Sequence, residues 1–318
     1  MSTRVTAIPD AYASAWRTRR THFDDVIAFH APSIKEYETS EFSGQAGAFV
    51  SLSVTGSQCS LQCDHCNGAV LDGMAPATDP ETLVTRVREL AERGAEGVLI
   101  SGGCNPRGQV DLEPYLDGIA VAADNGLEVA LHTGLIHDPD TAQAYADAGA
   151  SAAMVDIIGA TDTIESVYHL SETTPNAYKQ TLEHLDAAGL TLIPHVVAGL
   201  HYGEIRGEYD AIEMIADVGV DTLVFVVVMP VAGAPMADVE PPDPAAVGDL
   251  FRTARERLPE TTIMLGCARP RTADYSVAIE RRAIQAGVNG IAFPSEGIID
   301  YATDLGLEPT RHHTCCSL

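Results

Sequence analysis

From residue 48 to about residue 293 the chain keeps one rhythm. Short apolar, β-branched runs alternate with longer amphipathic stretches that begin at Asp, Pro or Thr and stop near Gly, which is the pattern of repeated βα units. Eight runs read as strands: 48–54, 97–101, 127–132, 152–157, 191–197, 222–228, 262–265 and 290–293. Helices are predicted between them over 80–93, 112–125, 141–148, 175–188, 209–218, 244–258 and 274–286. Five of these end on Gly94, Gly126, Gly149, Gly189 or Gly287, where glycine supplies a left-handed cap. Eight units without a break predict a single α/β domain, a (β/α)8 TIM-type barrel over residues 46–306, with its active site at the C-terminal strand ends. A doubly wound open sheet is the alternative, but its G-x-G-x-x-G fingerprint is absent from the first βα turn.

The flanks are less regular. Residues 1–45 read as a weakly helical, then turn-rich extension, and residues 307–318 as a tail that carries Cys315 and Cys316. Arg17, Arg19 and Arg20 read as a solvated face of the first helix.

Composition narrows the function. The 318 residues are 46% hydrophobic and carry 45 acidic against 19 basic side chains, a formal charge of -26 spread along the whole sequence. Phosphate binding needs a basic face, so nucleic acid is not an expected partner. An evenly acidic surface suits a salt-rich cytoplasm, where carboxylates keep a protein hydrated and salt screens their repulsion, so a halophilic origin is expected. The N-terminus lacks the apolar core of a signal peptide. The longest apolar run, 222–229, is too short to cross a bilayer. The expectation is a reduced, cytoplasmic protein with no membrane contact.

The chemistry begins at the first strand end. Cys59, Cys63 and Cys66 follow it at spacing C-x3-C-x2-C. Thiolates select soft metals and iron–sulfur clusters, and three of them satisfy three irons of a cubane while leaving the fourth open. The motif alone leaves two other readings: a zinc knuckle lacking its fourth ligand, and three unrelated thiols. Further polar groups follow later strands: Ser101-Gly102-Gly103-Cys104 after the second, His132 and Asp156 at the ends of the third and fourth, and His195 on the fifth. Paired glycines let backbone approach a ligand closely, although a plain tight turn explains them equally. A lone histidine is as readily structural as catalytic.

The cysteine spacing resembles the signature of the radical S-adenosylmethionine (SAM) enzymes, with His65 in a place usually aromatic. Gly102 and Gly103 resemble that family's glycine motif for the methionyl amino group, with Cys104 where an acidic residue is common. Asp156 stands where relatives place a polar residue near the SAM ribose. The run through Gly199 to Gly203-Glu204 resembles the adenine-lining stretch of biotin synthase-like enzymes. Pro230 opens a turn like their P-x-x-G-T-P, with Ala234 in place of Thr. The stretch from Thr173 to Leu190 is similar to the corresponding part of biotin synthase, but the relatives' Arg there is missing; Lys179 reads as part of a solvated helix face, with substitution for that Arg as the alternative.

The resemblance implies a barrel of the radical SAM kind, a [4Fe-4S] cluster on Cys59, Cys63 and Cys66, SAM held by Gly102, Gly103, Asp156, Gly199 and Pro230, and a 5′-deoxyadenosyl radical that removes hydrogen from an unactivated carbon. It also implies a reductant such as ferredoxin or flavodoxin. Four cysteines remain, Cys104, Cys267, Cys315 and Cys316, a full set for a second, auxiliary cluster at the barrel mouth. Arg269 or Arg271 resembles the Arg beside biotin synthase's sacrificial cluster, and His312 and His313 are substitute ligands. Buried small cysteines and a frayed tail are the plain alternative.

The 63–68 run, the 101–104 turn and the 265–271 turn resemble the archaeal two-protein lipoyl synthases. That implies sulfur insertion at an octanoyl-lysyl carrier, with Cys104, Cys267 and Arg269 as catalytic candidates and a second radical SAM protein as partner. Two other readings stand: a radical mutase or methylase of a small metabolite, and a non-catalytic iron–sulfur or zinc scaffold.

Overall fold

In the computed structural model, residues 7–32, 37–44 and 47–315 are described. Cys316, an expected ligand, lies outside them.

The strands are β1 (Val26–His30), β2 (Phe49–Ser53), β3 (Ala75–Pro76), β4 (Gly97–Ser101), β5 (Glu128–His132), β6 (Ala152–Asp156), β7 (Thr191–Ala198), β8 (Thr222–Val227), β9 (Thr262–Leu265), β10 (Gly290–Ala292) and β11 (Glu308–His312). The helices are α1 (Ala13–His22), α2 (Pro80–Glu92), α3 (Leu116–Asp124), α4 (Pro139–Asp147), α5 (Thr161–Val167), α6 (Pro175–Ala187), α7 (Glu208–Val218), α8 (Pro244–Arg257), α9 (Ala273–Gln285) and α10 (Ile298–Asp304). All strand pairs are parallel, in the order β11-β1-β10-β9-β8-β7-β6-β5-β4-β2-β3. The eight strands read from the sequence are β2 and β4 to β10, in their predicted sequence.

Two features differ from a closed eightfold barrel. The sheet curls but stays open, with β3 and β11 as its edges. Beyond β10 it gains β1, from the stretch read as an extension, and β11, from the stretch read as a tail. Both strands have a physical reason to be there. β1 is an apolar run with Ile27 and Phe29 fully buried, and β11 satisfies the outer ladder of β1 from Val26 to His30.

Local chemistry sets the element ends. Asp79, Asp138 and Asp243 accept backbone N–H bonds at the starts of α2, α4 and α8, each with Pro in the first turn. The five predicted capping glycines all take positive φ, between +79 and +94. The central strands β4 to β10 are largely buried on both faces, as parallel strands under helices must be, whereas the edge strands β3 and β11 are not.

Arg19 corrects the sequence reading of a solvated face. Its side chain is fully buried and donates to the carbonyls of Asp24, Val26 and Val288. Arg255 is fully buried as well and donates to the carbonyls of Leu258, Pro259, Thr261 and Gly287. Burial pulls Arg19 down to about 10 and Arg255 to about 9; the carbonyls replace part of the water that each guanidinium loses. Lys179 is held on the surface by Asp217 at 2.8 Å, in keeping with its solvated reading.

Candidate active site

β2 delivers the chain into a loop that bears Cys59, Cys63 and Cys66. The loop is wound tightly on itself: the amides of Cys66 and Asn67 donate to the Cys63 carbonyl at 3.1 and 2.7 Å. It also rests on the turn after β4. Ser60 N donates to the Cys104 carbonyl at 2.9 Å, Gly103 N donates to Thr55 Oγ1 at 2.7 Å, and Thr55 Oγ1 donates to the Gln58 carbonyl at 2.8 Å. A Cβ on Gly103 would stand 2.0 Å from the Gln58 carbonyl oxygen and 2.5 Å from Cys59 Cα. Only glycine lets the two turns touch.

Loops after β6, β7 and β8 grip the same segment. Asp64 lies between Cys63 and Cys66. Its amide donates to the Val167 carbonyl at 2.9 Å, and its carbonyl accepts from Met236 N at 3.0 Å. Its carboxylate accepts from Tyr202 Oη at 2.7 Å and lies 3.1 Å from His169 Nε2. Asn67 Nδ2 reaches the Gly233 carbonyl at 3.4 Å. Among the described residues, five non-glycines have left-handed φ: Gln62, Asn67, His169, Tyr202 and Phe293. Four of the five belong to this loop or hold its Asp64. Each such residue costs on the order of 1–2 kcal/mol, and strain of this kind persists where surrounding contacts over-determine the geometry, commonly at functional sites. The sequence marks no role for Asp64, His169 or Tyr202, because no local pattern identifies a residue that acts by anchoring a distant loop.

The thiols influence one another. Hydrogen bonds from Cys63 and His65 draw Cys66 toward the thiolate, while the Cys66 bond, burial and nearby thiols push Cys63 up. Burial raises the Cys104 thiol to about 12, with Cys59 and Cys66 adding to the shift. Cys59 Sγ lies 3.9 Å from the Cys104 carbonyl. Cys104 thus stands beside the three-cysteine loop. His65 packs its ring 5.2 Å from that of Tyr168, and Tyr168 Oη donates to Asp156 Oδ2 at 3.3 Å.

The remaining expected residues divide into two groups. Gly102, Gly103, Asp156, Gly199 and Pro230 all follow or end strands whose C-terminal ends share one rim. Gly199 is fixed in place: it takes φ +77, donates to Glu208 Oε1 at 2.7 Å, and a Cβ there would meet Pro242 at 2.5 Å. Pro230 is exposed. Asp156 is pushed up by burial, but His132, His195 and His65 overcome this and hold it below the usual carboxylate range. Burial lowers His195 to about 4, against the opposing pull of Asp156.

Cys267 and Cys315 leave the same rim, two residues after β9 and three after β11. With β10 and β1 between them, those strands lie three spacings apart, about 14 Å along the sheet. A shared cluster therefore requires the segment after β11 to fold inward. Arg269 is fully buried, 2.6 Å from Glu280, and donates to the carbonyls of Gly266 and Phe293 at 2.5 and 3.0 Å. Arg271 donates to the carbonyls of Phe293 and Cys267 at 2.7 and 2.9 Å. Both arginines shape the turn that carries Cys267. His312 stacks on His30 at 4.9 Å and His313 lies 5.5 Å from Phe42.

The donor set fits an iron–sulfur cluster: three soft ligands share one strained loop, and a glycine keeps the neighbouring turn against it. Fold and site define an open, curled parallel sheet with a three-cysteine loop at the C-terminal ends of its strands. Residues 53–206 match the family model of the Radical SAM superfamily; the chain carries a radical SAM domain, and the family implies a [4Fe-4S] cluster and SAM. Biotin synthase of Halorhodospira halophila is 26% identical over 300 residues, 86% of this chain and 87% of that one. Biotin synthase 2 of Paracoccus denitrificans is 26% identical over 249 residues, 76% and 75% of the two chains. Methylornithine synthase shares the fold with TM-score 0.61 at 13% identity, over 95% of this chain and 88% of that one. The FeFe-hydrogenase maturase HydG of Carboxydothermus hydrogenoformans does so with TM-score 0.64 at 13% identity, over 94% and 71%. Among the described residues no helix is long and apolar enough to cross a membrane.

Proposed function

We propose that the protein is a sulfur-inserting radical SAM enzyme that acts on an octanoyl-lysyl group of a carrier protein. The observation that supports sulfur insertion is the placement of Cys104 and Cys267 on the rim that also carries the Cys59–Cys63–Cys66 loop, in a chain whose curated relatives over most of its length are biotin synthases. When bound, the cluster and SAM supply a carbon-centred radical able to remove hydrogen from an unactivated carbon.

The chain's own part is to hold and to exclude. Cys59, Cys63 and Cys66 hold the cluster. Gly102, Gly103, Gly199 and Pro230 present backbone and a small surface to SAM. The loops after β6, β7 and β8 close on Asp64 and keep the cysteine loop from moving during turnover. Cys104, Cys267 and Cys315, with Cys316 beyond them, are the ligands for an auxiliary cluster that donates sulfur, with Arg269 and Arg271 setting the Cys267 turn. A one-electron reductant such as ferredoxin or flavodoxin and a second radical SAM protein complete the system.

The test is an octanoylated carrier or peptide incubated with SAM and reductant, with and without the partner. Thiolated product that depends on Cys267 supports the reading. No deoxyadenosine above the substrate-free rate, and no thiolated product, rejects it. Iron analysis tests the second cluster separately: about eight irons per reconstituted chain support it and about four refute it.

A further inference from the structure

The ends of β5, β6 and β7 bring three donors together. Asp156 and His195 are register partners across β6 and β7. His132 pairs with Met154, two residues before Asp156 on the same strand. Side chains alternate along a strand, so this register sends His132, Asp156 and His195 to one face of the sheet. Their ligand atoms lie within 4.8 Å of one another.

Three details point to a shared ion. His132 Nε2 is 3.8 Å from Asp156 Oδ1, too far for a hydrogen bond. It is closer to the edge of a coordination tetrahedron, about 3.3 Å for bonds of ~2.0–2.1 Å. Tyr168 Oη donates to Asp156 Oδ2 at 3.3 Å, which leaves Oδ1 facing His132. A carboxylate so braced by an outer hydrogen bond is the usual state of a metal ligand. His195 Nδ1 is buried with no hydrogen-bond partner among the described residues, and an ion bound by this nitrogen would give it one. Side-chain exposures of 31% for His132 and 28% for Asp156 keep the group open to the mouth.

We propose that His132, Asp156 and His195 form a mononuclear site for Zn2+, a borderline first-row divalent cation, separate from the cysteine loop. Two imidazoles and one carboxylate suit borderline cations, not Ca2+ or Mg2+, and lack the thiolates that favour a cluster. Three protein ligands leave at least one position open to the barrel mouth for an oxygen of the substrate. The assignment directs Asp156 to the ion instead of the SAM ribose, and it does not depend on sulfur insertion.

The full chain, reconstituted anaerobically, is analysed for zinc in addition to iron. One Zn2+ per chain is expected beyond the cluster iron, lost in His195→Gln and bound at least tenfold more weakly in His132→Gln, with iron content unchanged. A second measurement removes the cluster: the Cys59→Ala, Cys63→Ala, Cys66→Ala chain is titrated with Co2+, and circular dichroism reports its fold. One Co2+ per chain is expected, with visible ligand-field bands and no thiolate charge-transfer band. Absence of stoichiometric metal in both experiments overturns the proposal. So does binding that His195→Gln leaves intact, or a thiolate band showing that cysteines hold the ion.

Discussion

Replacing Gly103 by alanine is a sharp probe of how the cysteine loop is held. The added Cβ would stand 2.0 Å from the Gln58 carbonyl oxygen, 2.5 Å from Cys59 Cα and 2.7 Å from Cys59 Cβ, where real Cβ contacts stay above 3.0 Å. The turn and the loop must therefore separate by at least 1.0 Å, the difference of those two limits. Metal–ligand distances tolerate only about 0.2 Å, and a misplacement near 1 Å at a reacting centre can cost on the order of 100-fold in rate. Overpacking itself costs about 1–3 kcal/mol, less than the stability of an ordinary domain, so the chain still folds. The assay compares iron per reconstituted chain and SAM-dependent 5′-deoxyadenosine formation in wild type, Gly103→Ala and Gly73→Ala. Gly73 has open space around its Cβ position and no positive φ. The expected result is a loss of cluster iron and at least a 100-fold loss of cleavage in Gly103→Ala alone. Full iron and full activity in Gly103→Ala would refute the reasoning.

Other outcomes follow from the same contacts. Glu280→Ala leaves the fully buried Arg269 guanidinium uncompensated and should cost about 3–5 kcal/mol in urea unfolding. Glu213→Ala breaks a half-exposed pair with Arg257 and should cost under about 1 kcal/mol; equal costs would contradict the assignment. His30 is buried and pulled down to about 4, first by burial and then by His312, from 6.5. The unfolded chain therefore binds a proton that the folded one refuses, and stability present above pH 6.5 is lost as pH falls toward 4, by up to about 3 kcal/mol. The unfolding free energies of wild type and His30→Gln should converge by that amount between pH 7 and pH 4, and parallel curves would refute it. The charge of -26 predicts a thermal midpoint that climbs between dilute buffer and molar KCl as self-repulsion is screened; a flat midpoint would sink the halophilic expectation.

The parts of this fold legible in the sequence are those written in short-range pattern. β-branched runs gave the eight barrel strands, and terminal glycines gave the helix ends. The thiol spacing gave the loop. β1 carried a readable apolar run, Val26 to Phe29, that the turn-rich text around it obscured. β11, Glu-Pro-Thr-Arg-His, has no alternation to read, because an edge strand is specified by the ladder it completes. Whether a sheet closes depends on curvature summed over all its strands, which no single segment encodes. Arg19 reads as surface because its partners are carbonyls, and carbonyls belong to every residue. His132, Asp156 and His195 were each visible as strand-end residues. Their convergence depends on register and side-chain parity, which become available only when strand pairing is known.

Reductive cleavage of SAM tests the central claim most directly. After anaerobic reconstitution and reduction, the wild-type chain should form 5′-deoxyadenosine, and replacing Cys59, Cys63 and Cys66 by alanine should abolish it while circular dichroism shows the fold intact. A fully iron-loaded wild type that forms none, or a triple variant that still forms it, would contradict the account.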